Sequence, residues 1–196
     1  MTKPHTSSAG RRSRHLHSRQ LGLTFVEMLV VMAVMAILVP IGISGLGQAA
    51  TSMRLTSTSN ALLSQLHLAR SEAIKRNSRV VMCKSDDGLR CTATGGWEQG
   101  WIIFHDVNSN ALREEAELMI QRGAPLGGNL KFTGNINVAR YLAFAPNGAT
   151  RLVGGGFQAG TLTLCQQSLE ANEAREIVLN AVGRPRIRRV TIDSCS

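Results

Sequence analysis

The sequence predicts an α+β protein in which one long N-terminal helix packs on an antiparallel β-sheet globular domain. Three observations carry that expectation. The uncharged run Met28 to Leu46 is nineteen residues long, about one bilayer's worth of helix. From Arg54 to Arg76, Leu55, Leu62, Leu66, Ala69 and Ala73 recur at helical spacing on one face, with Arg70, Glu72, Lys75 and Arg76 off it. After Asn77 the helical period stops, and short apolar stretches alternate with turn signals.

The first 22 residues contain no acid and five cations, Lys3, Arg11, Arg12, Arg14 and Arg19, more than half of the formal net charge of +9. Removing this segment leaves +4, so the high pI belongs in part to a leader. His5, His15 and His17 fall in the same segment and are read as no metal site. At the junction Leu21-Gly22-Leu23-Thr24-Phe25-Val26-Glu27 a single carboxylate, Glu27, heads the apolar run. Facing hydrocarbon, such a group costs about 2.5–3.5 kcal/mol, which calls for a cationic partner. A cut after Gly22 would create one nearby, the new amine of Leu23. An ordinary secretory signal, with an apolar stretch from Met28 to Val39 and a cut near Ala49, leaves Glu27 without a role; an uncut anchor does the same.

The helix expected over 23–76 would be roughly 80 Å long at 1.5 Å per residue. Pro40 should kink it, and Gly42, Gly45 and Gly47 should soften the turns after the kink. The expected organisation is a leader at 1–22, an apolar membrane or filament-core helix at 23–50, an amphipathic helix at 51–76, a β-rich domain at 77–182 and a basic C-terminal tail at 183–196. The leader's cations favour the cytoplasmic side of a membrane, with the C-terminal body across it.

Strands are expected at Arg79 to Lys84, Trp101 to His105, Glu117 to Gln121, Tyr141 to Ala145, Thr161 to Gln166 and Glu176 to Asn180. Turn signals separate them, among them Asp87-Gly88, Gly95-Gly96, Gly127-Gly128, Pro146-Asn147-Gly148 and Gly154-Gly155-Gly156. Cys83, Cys91, Cys165 and Cys195 all fall in this exported part, where an oxidising compartment allows pairing. Four cysteines allow three connectivities, and proximity favours Cys83 with Cys91 and Cys165 with Cys195. No CxxC pair or suitably spaced histidine supports zinc.

Asp106-Val107-Asn108-Ser109-Asn110, with Glu117 eleven residues after Asp106, has the oxygen spacing of a calcium loop, but Ala111 stands where a sharp turn wants glycine. An Asx-rich turn between strands is the preferred reading. No catalytic constellation emerges: Glu114, Glu115 and Glu117 read as a solvated acidic loop, and His105 has no evident nucleophile. Gly154-Gly155-Gly156 lacks the lysine and helix of a phosphate loop. Neither an enzyme nor a cofactor protein is indicated.

Outside the N-terminus the strongest signal is Gly183-Arg184-Pro185-Arg186-Ile187-Arg188-Arg189, four arginines within six positions. If extended, Arg184, Arg186 and Arg188 project from one side at intervals of about 6.6 Å, with Pro185 and Ile187 facing the other way. Planar, permanently charged guanidinium groups in a row suit successive phosphates. Pro185 argues for an edge strand or exposed tail. Charge on an edge also blocks unwanted pairing, the plain alternative to nucleic-acid binding. Lys84, Arg90 and Arg151 could enlarge the patch. No aromatic residue follows Phe157, so the tail itself supplies no base stacking, and binding should be salt-sensitive and nearly sequence-independent.

Gly22-Leu23-Thr24-Phe25-Val26-Glu27 opening an apolar helix resembles the processing site of type IV prepilins and pseudopilins. The helix end Leu66 to Arg76, and the order of Cys83, Cys91 and Gly95-Gly96-Trp97-Glu98-Gln99-Gly100-Trp101, are similar to the FimT/GspH branch. Gly183-Arg184-Pro185-Arg186 resembles the Gly-Arg-any-Arg motif in the tail of FimT-type minor pilins. The resemblance implies cleavage after Gly22 by a prepilin peptidase, methylation of Leu23, and Glu27 meeting the amine of a neighbouring pilin subunit. It further implies an inner-membrane lipid environment, a periplasmic domain, assembly into a pilus, and DNA as the partner of Arg184 and Arg186 with Gly183 as backbone support; Arg188 and Arg189 extend that set on charge alone. The alternative is a GspH-like pseudopilin of a type II secretion machine, or an assembly pilin that binds no DNA.

Overall fold

The computed structural model describes residues 22–195, and within 39–46 the backbone alone. Helix α1 runs Phe25–Arg76. Thr24 starts it: its hydroxyl accepts the Glu27 N–H at 3.2 Å and its carbonyl accepts that of Met28. A threonine three residues before a glutamate is the sequence of a capping box. At the other end Asn77 takes φ +48, Ser78 N–H donates to the Ala73 carbonyl and Asn77 N–H to that of Ile74. This pair of bonds is a Schellman cap, with asparagine in the left-handed position that glycine more often fills.

The chain divides into two units, Met1–Gly45 and Leu46–Ser196. In the first, the apolar side chains of Leu23 and of the helix from Phe25 to Leu38 stand exposed. Among the described residues no helix is long and apolar enough to cross a membrane. The run Met28 to Leu46 enters the stretch 39–46, so its later side chains, the expected kink residue Pro40 and the leader 1–21 lie outside the described residues.

The second unit carries a complete core of its own. Leu55, Leu62, Leu66, Ala69 and Ala73, the predicted stripe, are all buried, and pack into one cluster with residues of both sheets. One sheet has the order β3-β2-β1-β5, from β1 Val80–Lys84, β2 Trp101–His105, β3 Met119–Gly123 and β5 Tyr141–Phe144. The other has the order β4-β6-β7-β8, from β4 Leu130–Gly134, β6 Gly160–Gln166, β7 Asn172–Leu179 and β8 Pro185–Ile192. Every pairing is antiparallel. Leu130, Phe132, Leu162, Leu164, Ile177 and Leu179 alternate inward and supply the second sheet's share of the core. Trp97 lies between, its indole N–H donating to the Val138 carbonyl at 3.0 Å.

Two differences from the sequence expectation bear on function. Strand β4 was not expected, and residues 185–192, expected as an edge strand or an exposed tail, form a full strand of the second sheet, paired with β7 from Leu179↔Pro185 to Asn172↔Ile192. The basic segment is thus built into the domain as its edge. Cys83 is bonded to Cys91 and Cys165 to Cys195, the second anchoring the end of the chain beyond β8.

Candidate nucleic-acid interface

Strands β7 and β8 are joined by a turn that Asn180 organises. Its carbonyl accepts the Gly183 N–H at 2.9 Å and its side-chain oxygen accepts the Arg184 N–H at 3.0 Å. Gly183 sits at φ +73, and a Cβ there would lie 2.0 Å from the carbonyl oxygen of Gly148. Glycine is therefore required twice over, by the left-handed backbone and by a neighbouring main chain that leaves no room for a side chain. Gly148, at φ +75, rests in turn against Arg70 and Ile74 of α1. The arginine turn is thereby seated on the 145–149 turn, and that turn on the helix.

From this seat the side chains alternate into β8. Arg184, the last residue before the strand, and Arg186 and Arg188 within it are exposed, while Pro185 is buried and Ile187 half-buried toward the core. Among the described residues the guanidinium groups of Arg184 and Arg186 have no carboxylate within ion-pair distance. Arg188 differs: it lies opposite Glu176 in the ladder and its Nε is 2.5 Å from Glu176 Oε2. Arg189 differs more, because by strand parity it belongs to the helix-facing side. There its Nε pairs with Glu173 and its Nη2 donates to Ser52 Oγ at 2.8 Å. The five-residue set, three from the motif and two added on charge, thus resolves into two open arginines, one paired neighbour and one residue on the other face, with Gly183 in the turn before them.

The Glu173 cluster has a structural job that the sequence did not announce. Arg175 is buried on the inner face of β7 and donates to Thr56 Oγ1 at 2.9 Å and Ser52 Oγ at 3.3 Å, with Glu173 at 2.6 Å. Burial pushes the Glu173 carboxyl up, but hydrogen bonds from Arg175, Ser52 and Arg189 outweigh it and hold the group below its ordinary value of 4.5. An arginine at an inward position of an otherwise alternating strand was the available signal for a polar tie to the helix.

Two of the other nominated cations fall elsewhere, and the third, Arg151, lies in the hairpin bonded to the arginine turn. Lys84 is buried, and its Nζ donates to the carbonyls of Ala93 and Gly95 at 3.3 and 2.6 Å. Burial and then the nearby charge of Arg140 pull its pKa down. Arg90 stands exposed in the loop closed by Cys83 and Cys91. Arg151 lies over the Phe157 ring, 4.2 Å from its centroid.

The suspected calcium loop spends its oxygens on its own backbone. Asp106 accepts the N–H groups of Asn110 and Ala111, each at 3.1 Å, and pairs with Arg79 at 2.9 Å. Glu117 accepts those of Val107 and Glu114 at 2.8 and 3.1 Å. These are the bonds of an Asx-type turn.

A family model described as "Type II transport protein GspH" matches residues 58–183, more than half of the chain. The chain belongs to the GspH family. A second model, the prokaryotic N-terminal methylation motif, matches residues 17–39 and so includes Gly22, Leu23 and Glu27. Two crystal forms of the type IV minor pilin FimU of Pseudomonas aeruginosa share the fold of this GspH-family chain. One aligns with TM-score 0.55 at 20% identity over 72% of this chain and 95% of its own; the other with TM-score 0.53 at 21% over 72% and 100%. No curated protein matches. The GspH match ends at Gly183, so strand β8 and its arginines lie beyond it.

Proposed function

We propose that this chain is a minor type IV pilin that binds extracellular DNA without sequence preference, through Arg184 and Arg186, for uptake in natural transformation. One observation carries the proposal: two exposed arginines, one closing the turn before the edge strand and one on the strand itself, with no carboxylate partner among the described residues, held by a turn whose glycine has no room for a side chain. Alternate residues on one face of a strand stand about 6.6 Å apart, and guanidinium forks bind phosphate oxygens in pairs. Arg188 adds to the patch once it leaves Glu176; Arg189 contributes from the other face.

The N-terminal motif fits cleavage after Gly22 by a prepilin peptidase, methylation of Leu23 and pairing of Glu27 with another subunit's amine. The exported domain then sits on the periplasmic side of an inner-membrane anchor until it joins a pilus. Mass spectrometry of membrane-extracted protein should find methylated Leu23 as the first residue; an intact leader contradicts this part. A second reading, a pseudopilin of a type II secretion machine that binds no DNA, draws on the description of the matching family model and on its ending before the arginines.

Among the described residues, the unit Leu46–Ser196 holds every buried core residue and both disulfides, so it is the fragment to test. Its affinity for labelled duplexes of unrelated sequence should be equal among them. Arg184→Gln with Arg186→Gln should weaken all of them by about tenfold or more, from the loss of two charge-assisted contacts. Equal binding by parent and double variant favours the secretion reading.

A further inference from the structure

We propose that Phe157 and Arg151 form a base-stacking subsite beside the arginine strand, which takes the unpaired nucleobases of single-stranded DNA. This inference rests on the DNA-binding reading above and adds a preference to it.

Aromatic exposure in the unit Leu46–Ser196 is concentrated at one residue. Trp97, Trp101, Phe104, Phe132 and Phe144 are buried, and Tyr141 is half-buried with its hydroxyl accepting the Val153 N–H at 3.0 Å. Phe157 alone stands out, 65% exposed. One face of its ring is covered by the Arg151 guanidinium at 4.2 Å, across the bridge Arg151↔Phe157. That guanidinium has no ion-pair partner among the described residues. A cation on one ring face fixes the ring's orientation and leaves the second face for another flat group.

The placement ties this pair to the arginines. Thr150, next to Arg151, donates its N–H to the Ala181 carbonyl at 3.2 Å, and its hydroxyl lies 2.5 Å from the Gln158 carbonyl, to which it donates, and 3.1 Å from that of Asn180. Asn180 is the residue that holds the backbone of Gly183 and Arg184, and Gly183 is seated on Gly148. The Phe157 hairpin and the arginine turn are therefore bonded neighbours. At the hairpin tip Gly154 and Gly155 have no atom within 4 Å of where a side chain would begin, so the space is open. Every base offers a π-face, so an exposed ring beside phosphate-binding cations takes bases of any identity, provided they are unstacked. A duplex keeps its bases stacked and would use the arginines alone.

The test measures the unit Leu46–Ser196 against an oligothymidylate single strand and a duplex of equal length at one salt concentration. Phe157→Ala should weaken single-strand binding by about fivefold or more, leave duplex binding within about twofold, and keep the parent's melting temperature. Phe157→Trp should restore single-strand binding. Arg184→Gln with Arg186→Gln should weaken both substrates. If that arginine variant loses both while Phe157→Ala binds the single strand as the parent does, the stacking inference is overturned and the DNA-binding reading stands. If Phe157→Ala loses both substrates equally, the ring acts on the arginine strand rather than on bases, which overturns the inference too. An arginine variant that binds like the parent removes the underlying reading itself.

Discussion

Replacing Gly183 by alanine perturbs the candidate interface without touching a charge. At φ +73 a side chain costs about 1–2 kcal/mol from the left-handed backbone alone. The new methyl would also lie 2.0 Å from the Gly148 carbonyl oxygen, so one of the two turns must move, and a total of about 2–4 kcal/mol is expected. For a unit of this size each kcal/mol lowers the melting temperature by about 2–4 °C. Thermal unfolding of the unit Leu46–Ser196 should therefore show Gly183→Ala melting about 4–16 °C below the parent, with weaker DNA binding although every arginine remains. Gly154→Ala is the control, since nothing lies within 4 Å of its Cβ position. If Gly183→Ala melts with the parent, the seat described for the arginine turn is wrong.

Glu176→Gln frees Arg188 and removes a negative charge from the proposed contact face. An exposed pair of this kind contributes only about 0–1 kcal/mol to stability, so duplex affinity should rise by about two- to fivefold with little change in melting. Opening the Cys165–Cys195 bond, which closes 30 residues, by paired serine substitutions should cost about 3–4 kcal/mol in denaturant unfolding. The Cys83–Cys91 bond, across 8 residues, should cost about 2–3 kcal/mol. The Glu173 carboxyl is depressed by its hydrogen-bonded partners, so its stabilising effect is complete above its unfolded value and is lost as pH falls through the folded one. The stability difference between parent and Glu173→Gln should therefore be constant near neutrality and shrink below about pH 4.5; a difference that does not change with pH contradicts that assignment.

Much of the fold was legible because burial writes itself as periodicity. The stripe Leu55, Leu62, Leu66, Ala69 and Ala73 is buried along its whole length, and Trp101–His105 forms a strand where expected. The unexpected β4 is as long as the expected β1 and β2, and Leu130 and Phe132 alternate with Lys131 and Thr133 as in a half-buried strand, so its signal was present. Residues 185–192 read as either an edge strand or an exposed tail because arginines dominate them. Their strand character lies in Pro185 and Ile187 turning inward and in Val190 and Ile192 packing near Cys165 and Cys195. At the site, alternation placed Arg184, Arg186 and Arg188 on one face, whereas nothing in the local sequence gave Arg188 to Glu176 or turned Arg189 toward Ser52. Those are cross-strand and helix–strand contacts, fixed by register. The steric constraint on Gly183 was not legible at all, because the carbonyl of Gly148 that imposes it comes from a turn 35 positions earlier in the chain.

The salt dependence of DNA binding tests the central claim most directly, since it counts phosphate contacts rather than scoring affinity. For the unit Leu46–Ser196 on duplex DNA, the logarithm of the association constant should fall linearly with the logarithm of salt concentration. The slope should shrink by about 2 when Arg184 and Arg186 become glutamine, at about 0.9 per lost phosphate contact. An unchanged slope in the double variant, or no salt-dependent binding by the parent, would contradict the assignment of these two arginines to DNA.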